Sequence, residues 1–337
     1  MLDNNTALIK SIMLSQATIQ LDTNIDKNEL YSSTGNIGKD QWIFIRLSET
    51  SRVRMSLSET ANLKLVKSET NDYYIQNSQT KEIIIKHVTV ERILSHAPEQ
   101  LFFLLYKDCS SCCLFCPLTY ASNKSHYTWE KIQDRILQNI SRGIKSIGFT
   151  TSCPPGKTQD ELVDEIADIA SKTRKLVGEE IPLGASLRTP SKKQLLHLKE
   201  AGITEIRLNL ETYNMRLAQQ LMPNKDLKEI LRSIEHAVDT YGKEKVSSNI
   251  IIGLGESDDD ILDGVNRLAE MGALSTLYPY DPIEGLNMQF KRPSADRIYN
   301  LAIEHKRILQ NHNLDPLGAK TMCCACAGSH LYPGKDI

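Results

Sequence analysis

The sequence predicts an α/β protein: a partial (β/α)6 barrel carrying a small β-rich module at its N-terminus. Three observations lead there. Residues 1–95 place the tripeptide Ser-Glu-Thr at 48–50, 58–60 and 68–70, with alternating residues between these polar marks. From residue 101 onward, short apolar runs alternate with helical patterns, six times over. The stretch "KDCSSCCLFCPL" (107–118) follows the first of those runs directly, where a catalytic loop of such a barrel belongs. The expected division is a β-rich module over 1–95, the partial barrel over 96–312, and a Cys-rich tail over 313–337.

Within the module, Val53, Met55 and Leu57 fall on one face and Arg52, Arg54 and Ser56 on the other. A period of two is that of a half-buried strand. The ten-residue spacing suits short antiparallel strands joined by turns, and "KEIIIKHVTV" (81–90) reads as another strand. The first thirty residues are expected to be loose. The module as a whole is expected to cap or shield the domain that follows.

The barrel strands are the runs at 101–106, 146–150, 182–187, 206–210, 247–252 and 275–280. Near-continuous apolar strands suit a parallel sheet covered on both faces. Helices are expected over 128–142, with Trp129, Ile132, Ile136, Leu137 and Ile140 on one face, and over 159–177, with Leu162, Val163, Ile166 and Ile169. Others follow near 191–201, 226–241, 258–271 and 294–312. Ser257 is an N-cap candidate, and Asp258, Asp259 and Asp260 then sit where the helix dipole favours anions. Right-handed βα units in succession close toward a barrel. Six leave it open on one side, with the chemistry at the C-terminal strand ends.

The bulk numbers narrow the partners. The chain has 337 residues, 24% of them charged, and a formal net charge of −2. That balance gives neither the basic excess of a nucleic-acid binder nor an acidic tail. "MLDNNTALIK" lacks the charged and apolar regions of a secretory leader, and no apolar run approaches the roughly 18 residues of a membrane span. A cytoplasmic protein, off the membrane, is therefore expected. Thiols stay reduced there, so crowded cysteines read as metal ligands or redox groups before disulfides.

Four of the eight cysteines lie within 109–116. Cys109, Cys113 and Cys116 are spaced C-x3-C-x2-C, with Phe115 before the last. Three thiolates on one short loop can hold three irons of a [4Fe–4S] cube and leave the fourth iron open to an outside ligand. Two other readings stand beside this one: a zinc site pairing Cys113 and Cys116 with Cys323 and Cys326, and plain buried cysteines. Cys112 is superfluous to the motif and reads as a spectator.

The motif, its place after the first strand and the six units together resemble the radical S-adenosylmethionine (SAM) superfamily, in its biotin synthase-like branch, over residues 95–326. That resemblance implies two cofactors, a [4Fe–4S] cluster and SAM. It also implies reductive cleavage of SAM to methionine and a 5′-deoxyadenosyl radical that removes an unactivated hydrogen atom. "NLET" (209–212) looks like the branch's ribose-binding segment, which gives Asn209 and Glu211 that role. An ordinary strand-end pair is the plain alternative. "IIIGLGES" (250–257) is similar to its glycine-bearing strand end, with Gly253 and Gly255 letting backbone approach the adenosine. "TTSCPPG" (150–156) occupies the place of the segment that binds the methionyl amine but departs from its pattern. Thr151 and Ser152 would supply the oxygens. Lys225 would meet the methionyl carboxylate; its plain alternative is a solvated lysine.

In the tail, "TMCCACAG" carries Cys323, Cys324 and Cys326, which suit a second iron–sulfur cluster returning to the barrel mouth. A zinc knob or a regulatory dithiol are the alternatives. The tail is similar to that of biotin synthase-like archaeal proteins, the two-component lipoate synthases among them. It therefore implies lipoyl synthase-like sulfur insertion: a sulfurtransferase of lipoate biosynthesis acting on an octanoylated carrier domain. A second radical SAM protein would be its partner, and reduced ferredoxin or flavodoxin its electron source. Lys320 stands where those relatives have a further ligand, and Cys324, Ser329 or His330 would replace it. The runner-up function is a carbon-radical mutase, methylase or cofactor-biosynthesis enzyme acting on a small molecule. A non-catalytic iron–sulfur carrier is a third reading, which the nucleoside-binding segments argue against.

Overall fold

The computed structural model describes residues 4–26, 30, 41–120, 125–283 and 290–337. Strands β1 (Thr18–Leu21), β2 (Trp42–Arg46), β3 (Arg52–Leu57), β4 (Leu63–Lys67), β5 (Tyr73–Asn77) and β6 (Ile83–Glu91) close into a small barrel in the order β1-β3-β2-β6-β5-β4. The three Ser-Glu-Thr tripeptides fall in the turns between strands, where Ser68 and Thr70 hydroxyls meet at 2.9 Å. Val53 and Met55 point into the barrel core, as their alternation requires. The expected all-antiparallel module needs one correction. β1 runs parallel to both β3 and β4, and this short strand closes the barrel.

The expected looseness of the first thirty residues is also corrected. Asn4–Gln16 is a helix packed against the helix Ala295–Asn311, with Ala7, Met13 and Leu14 buried. Its pattern was hard to read because Lys10 sits fully buried among these apolar neighbours. The Lys10 ammonium donates to Asp336 Oδ2 at 2.8 Å and to the Ala327 carbonyl at 2.6 Å. A lysine in that position is stable only because both partners come from the far end of the chain.

Six further strands, β7 (Gln100–Leu104), β8 (Ser146–Thr150), β9 (Leu183–Ser186), β10 (Glu205–Arg207), β11 (Val246–Ile252) and β12 (Leu274–Pro279), pair in parallel in sequence order. The helices Trp129–Asn139, Gln159–Val177, Lys192–Glu200, Leu227–Tyr241, Asp258–Glu270 and Ala295–Asn311 follow their strands. Thr158, Ser191 and Ser257 each close a capping box at a helix start. In the first helix only a narrow stripe, Ile132 and Ile136, is buried. Leu137 and Ile140 are 50% and 43% exposed, which corrects their expected place on the core face.

The two faces of this sheet differ in chemistry. Leu101, Phe103, Ile147, Phe149, Leu183, Ala185, Ile206 and Ile250 pack outward in the main core with the helices. The alternate residues on the concave face include Ser146, Gly148, Gly184, Ser186, Glu205, Arg207, Asn249 and Thr276. The sheet is thus apolar on its outer side and mixed inside, where Phe102, Leu104 and Ile251 share the face with these polar groups. The small barrel lies along the open side of this sheet. On the β7 edge the His96 ring bridges Trp42 and Phe102, with centroids at 6.2 and 5.0 Å. On the β12 edge Arg54 donates to the Tyr278 hydroxyl at 2.9 Å. Among the described residues, no helix is long and apolar enough to cross a membrane.

Candidate active site at the barrel mouth

The loop after β7 carries Cys109, Cys113 and Cys116, and it is tied down from two neighbouring segments. The Ser110 N–H donates to the Cys153 carbonyl at 2.8 Å, beyond β8. Asn224 Nδ2 donates to the Ser110 carbonyl at 3.1 Å, and the Leu114 N–H to the Leu221 carbonyl at 2.9 Å. Within the loop, the Cys116 N–H donates to the Cys113 carbonyl at 3.0 Å, a turn that the Thr119 hydroxyl closes at 2.8 Å. Cys112 adopts φ +53°, is exposed and leans back on the Ser110 carbonyl. That left-handed kink turns Cys112 away and Cys113 inward, so the C-x3-C-x2-C frame is the one the backbone presents.

The loop's electrostatics are uneven. The Cys109 thiol is held down to about 5, first by the thiol of Cys153, with the Cys153 and Ser111 backbone adding to it. Burial pushes the Cys113 thiol up, against the pull of the Lys225 ammonium that hydrogen-bonds it. Burial likewise pushes Cys116 up to about 11. Desolvation works against the Lys225 charge, but Glu211, Cys113, Cys153 and Cys116 outweigh it and raise its pKa. Lys225 is therefore not a solvated lysine. It is the cation at the centre of the site.

Glu211 is 8% exposed and stands at φ +66°, just past β10. A glutamate in the left-handed region costs free energy that the surroundings must offset. Here its backbone is fixed on both sides: its N–H donates to the Asn249 carbonyl at 2.8 Å, and its carbonyl accepts from Ile251 at 2.8 Å. The kink breaks the strand alternation and brings the carboxylate round toward Lys225. Asn209, one turn of the pleat earlier, accepts from Arg207 Nε at 2.8 Å.

The other expected residues are less direct. Thr151 bonds within its own loop, to the Ser152 carbonyl at 3.0 Å, and the buried Ser152 hydroxyl is spent on the Asp108 carbonyl. Thr151 therefore shapes its own loop, and Ser152 fixes the cysteine loop at the residue before Cys109. Gly253 and Gly255 have φ +112° and +102°. A side chain at Gly253 would stand 2.5 Å from the Lys291 carbonyl, so this glycine admits a crossing chain segment. The Gly253 and Leu254 amides, 2.7 Å from the Glu256 carboxylate, are already engaged.

The tail does not return to the mouth, which corrects that expectation. Glu205, the first residue of β10, receives the Lys320 and Thr321 N–H groups and the Thr321 hydroxyl at 2.7–3.0 Å. The chain then enters beside Gly148, where an added side chain would stand 2.8 Å from Met322 Sδ. Cys323 meets Arg207 Nη1 at 2.9 Å, on the chamber floor. Cys324 is buried beneath Tyr332, and Cys326 packs by Phe44 and Gly328. The paired zinc site of Cys113, Cys116, Cys323 and Cys326 is thereby overturned, because the pairs lie at opposite ends of β10. His330 is buried away from any polar partner of its ring and is not brought to the cysteines.

Among the described residues, no three His, Cys, Asp or Glu side chains converge as one metal ion requires. A cube makes a different demand, since each thiolate takes a separate iron. The mouth loop fits this: three thiols around one cation, at an accessible strand end, held by backbone bonds. The tail does not. Its cysteines meet three different neighbours, Cys323 the Arg207 guanidinium, Cys324 Tyr332 and Cys326 Phe44, and even a methyl group at Gly328 would press into Phe44.

Sequence reasoning passed over Cys153, whose N–H approaches Cys109 Sγ at 3.5 Å, and over Arg207 and Arg54. Only their strand phase marked the arginines: Arg207 shares the inner face with Asn209.

Residues 103–268 match the Radical SAM superfamily. The fold and the site just described are those of a radical SAM domain, which residues 103–268 of the chain carry. Among its relatives, "Biotin synthase" from Hydrogenobaculum sp. (strain Y04AAS1) is 28% identical over 171 residues, 49% of each chain. "Probable GTP 3',8-cyclase" from Pyrococcus horikoshii is 24% identical over 212 residues, 60% of this chain and 65% of that one. Both matches cover less than two thirds of the relative. The crystal structure of methylornithine synthase shares the fold, with a TM-score of 0.54 at 17% identity, over 63% of this chain and 62% of that one.

Proposed function

We propose that this chain is a radical SAM enzyme that removes a hydrogen atom from a small molecule held inside the partial barrel. The observation that carries the reading is the convergence of Cys109, Cys113 and Cys116 with Lys225 and Glu211 at the C-terminal strand ends. When bound, the [4Fe–4S] cluster and SAM supply a carbon-centred radical. The chain's own part is positioning and exclusion of water. The three cysteines would hold the cluster, and Lys225 would balance its charge and meet the methionyl carboxylate. Glu211 would accept both ribose hydroxyls, with Asn209 beside it oriented by Arg207. Thr151, Ser152, Gly253 and Gly255 would shape the loops around the nucleoside. Residues 1–95 would shield the chamber's open side, and residues 313–337 would plug its floor. A ferredoxin or flavodoxin in the cytoplasm would be the electron source.

The test is anaerobic reconstitution with iron and sulfide, then addition of dithionite and SAM. 5′-Deoxyadenosine and methionine are expected; their absence at full iron loading sinks the reading.

Sulfur insertion of the lipoyl synthase kind is the second reading, with an octanoylated carrier as substrate and a second radical SAM protein as partner. Cys323 favours it, as a tail thiol that opens onto the chamber. An octanoylated carrier peptide incubated with enzyme rebuilt from labelled sulfide should then gain labelled sulfur. An unchanged peptide mass dismisses it.

A further inference from the structure

We propose that Arg54 and Arg207 form an anion site on the chamber floor, and that the substrate carries a carboxylate or phosphate which they hold. This deepens the reading of the barrel as a reaction chamber and rests on it. Arg207 lies on the concave face of β10, between Glu205 at the floor and Asn209 near the mouth. Arg54 enters from the small barrel across the open side, over the Trp42 ring at 5.4 Å. Both residues reach the same turn of the tail: Arg207 Nη1 meets Cys323 Sγ at 2.9 Å, and the Arg54 N–H donates to the Gly328 carbonyl at 2.7 Å. Consistent with this, the half-buried His96 between the edges of the two sheets is pushed down to about 3 by burial and then by Arg54 and Arg207.

Among the described residues, neither arginine has a carboxylate within ion-pair distance. Arg54 has the neutral Tyr278 hydroxyl, and Arg207 has the Asn209 amide and the Cys323 sulfur. The carboxylates nearby are already engaged. Glu205 is taken by Lys320, Thr321 and Lys245. Asp281, in the cleft that Arg54 lines with Ser56, Tyr278 and Ser329, is paired with Arg292. Two guanidiniums on the concave side of the sheet, with no carboxylate at ion-pair distance among the described residues, are a donor set that binds carboxylate or phosphate in a bidentate manner.

The experiment uses the full chain, cluster-reconstituted under anaerobic conditions and first shown to cleave SAM, so that failure of the radical reading is seen separately. Phenylglyoxal labels arginines, and the labelled peptides are counted with and without three probes: hexanoate, inorganic phosphate and the neutral hexanamide. Exposed Arg142 serves as the internal reference. We expect Arg54 and Arg207 to be protected about tenfold relative to Arg142 by one of the two anions and not by the amide. The effective anion identifies the group. In binding titrations, Arg54→Gln should weaken that anion about tenfold and Arg54→Lys less. Protection by neither anion, or equal protection by hexanamide, overturns the proposal. Protection of Arg54 alone also overturns it, because Arg207 would then serve only Cys323.

Discussion

Two cysteine-rich segments sit at opposite ends of one strand, and they are built for different tasks. Around Cys109–Cys116 the loop is accessible, its backbone is held by two other segments, and a lysine stands among the thiols. Around Cys323–Cys326 the chain is packed under Tyr332 and Phe44, and each thiol of the helix Met322–Cys326 meets a different neighbour. The first segment has four cysteines and the second three, each set within a few residues. What separates them is the charge and space around the thiols, which spacing does not record. The mouth is arranged to receive a group, and the tail to fasten the two barrels together.

The largest expected effect breaks the fastening. Lys10 and Asp336 are an ion pair with both side chains at 0% exposure, and Asp336 also takes the Ser51 hydroxyl at 2.6 Å and the Tyr332 N–H at 2.7 Å. Lys10→Met leaves a buried carboxylate short of its cation, at a cost of about 3–5 kcal/mol. Denaturant unfolding should show it, with the midpoint well below wild type. A midpoint within error of wild type would mean the tail does not clamp the small barrel.

A smaller effect belongs to the mouth. Glu211→Ala should weaken SAM binding by about 1–3 kcal/mol, because ribose hydroxyls would lose their acceptor in a buried site. Equilibrium binding to the reconstituted protein measures this, and unchanged affinity removes Glu211 from the site.

Much of this was legible in the sequence. The six βα units, the capping serines and the Cys109–Cys113–Cys116 frame could all be read from period and spacing, because each depends on local contacts. Three features could not. The helix 4–16 hides its face, since Lys10 is buried by partners more than three hundred residues away. The tail's destination depends on Glu205, which looks like any strand-end carboxylate until the Thr321 hydroxyl is found on it at 2.7 Å. The cationic floor requires β3 and β10 to face each other, which no periodicity within either strand reports.

The pH dependence of thiol reactivity sharpens the contrast between the segments. In cluster-free protein, Cys109 ionises near pH 5 through its Cys153 hydrogen bond, whereas burial holds Cys324 protonated up to about pH 11. Between those values Cys109, and not Cys324, is the thiolate of the two. Iodoacetamide at neutral pH should therefore alkylate Cys109 well before Cys324 in a mass-mapped time course, and the reverse order would contradict the assigned surroundings. The smallest effect concerns Cys112. Its kinked, exposed position predicts that Cys112→Ala keeps wild-type iron and wild-type SAM cleavage; a loss of iron would shift the ligand frame.

The most direct test is iron per chain after anaerobic reconstitution, in three proteins: wild type, Cys109/Cys113/Cys116→Ala, and Cys323/Cys324/Cys326→Ala. One cube at the mouth predicts about four irons in the wild type, near zero in the first variant and about four in the second. About eight irons in the wild type, with half lost in the tail variant, would contradict the division of labour between the two segments and put a second cluster in the tail.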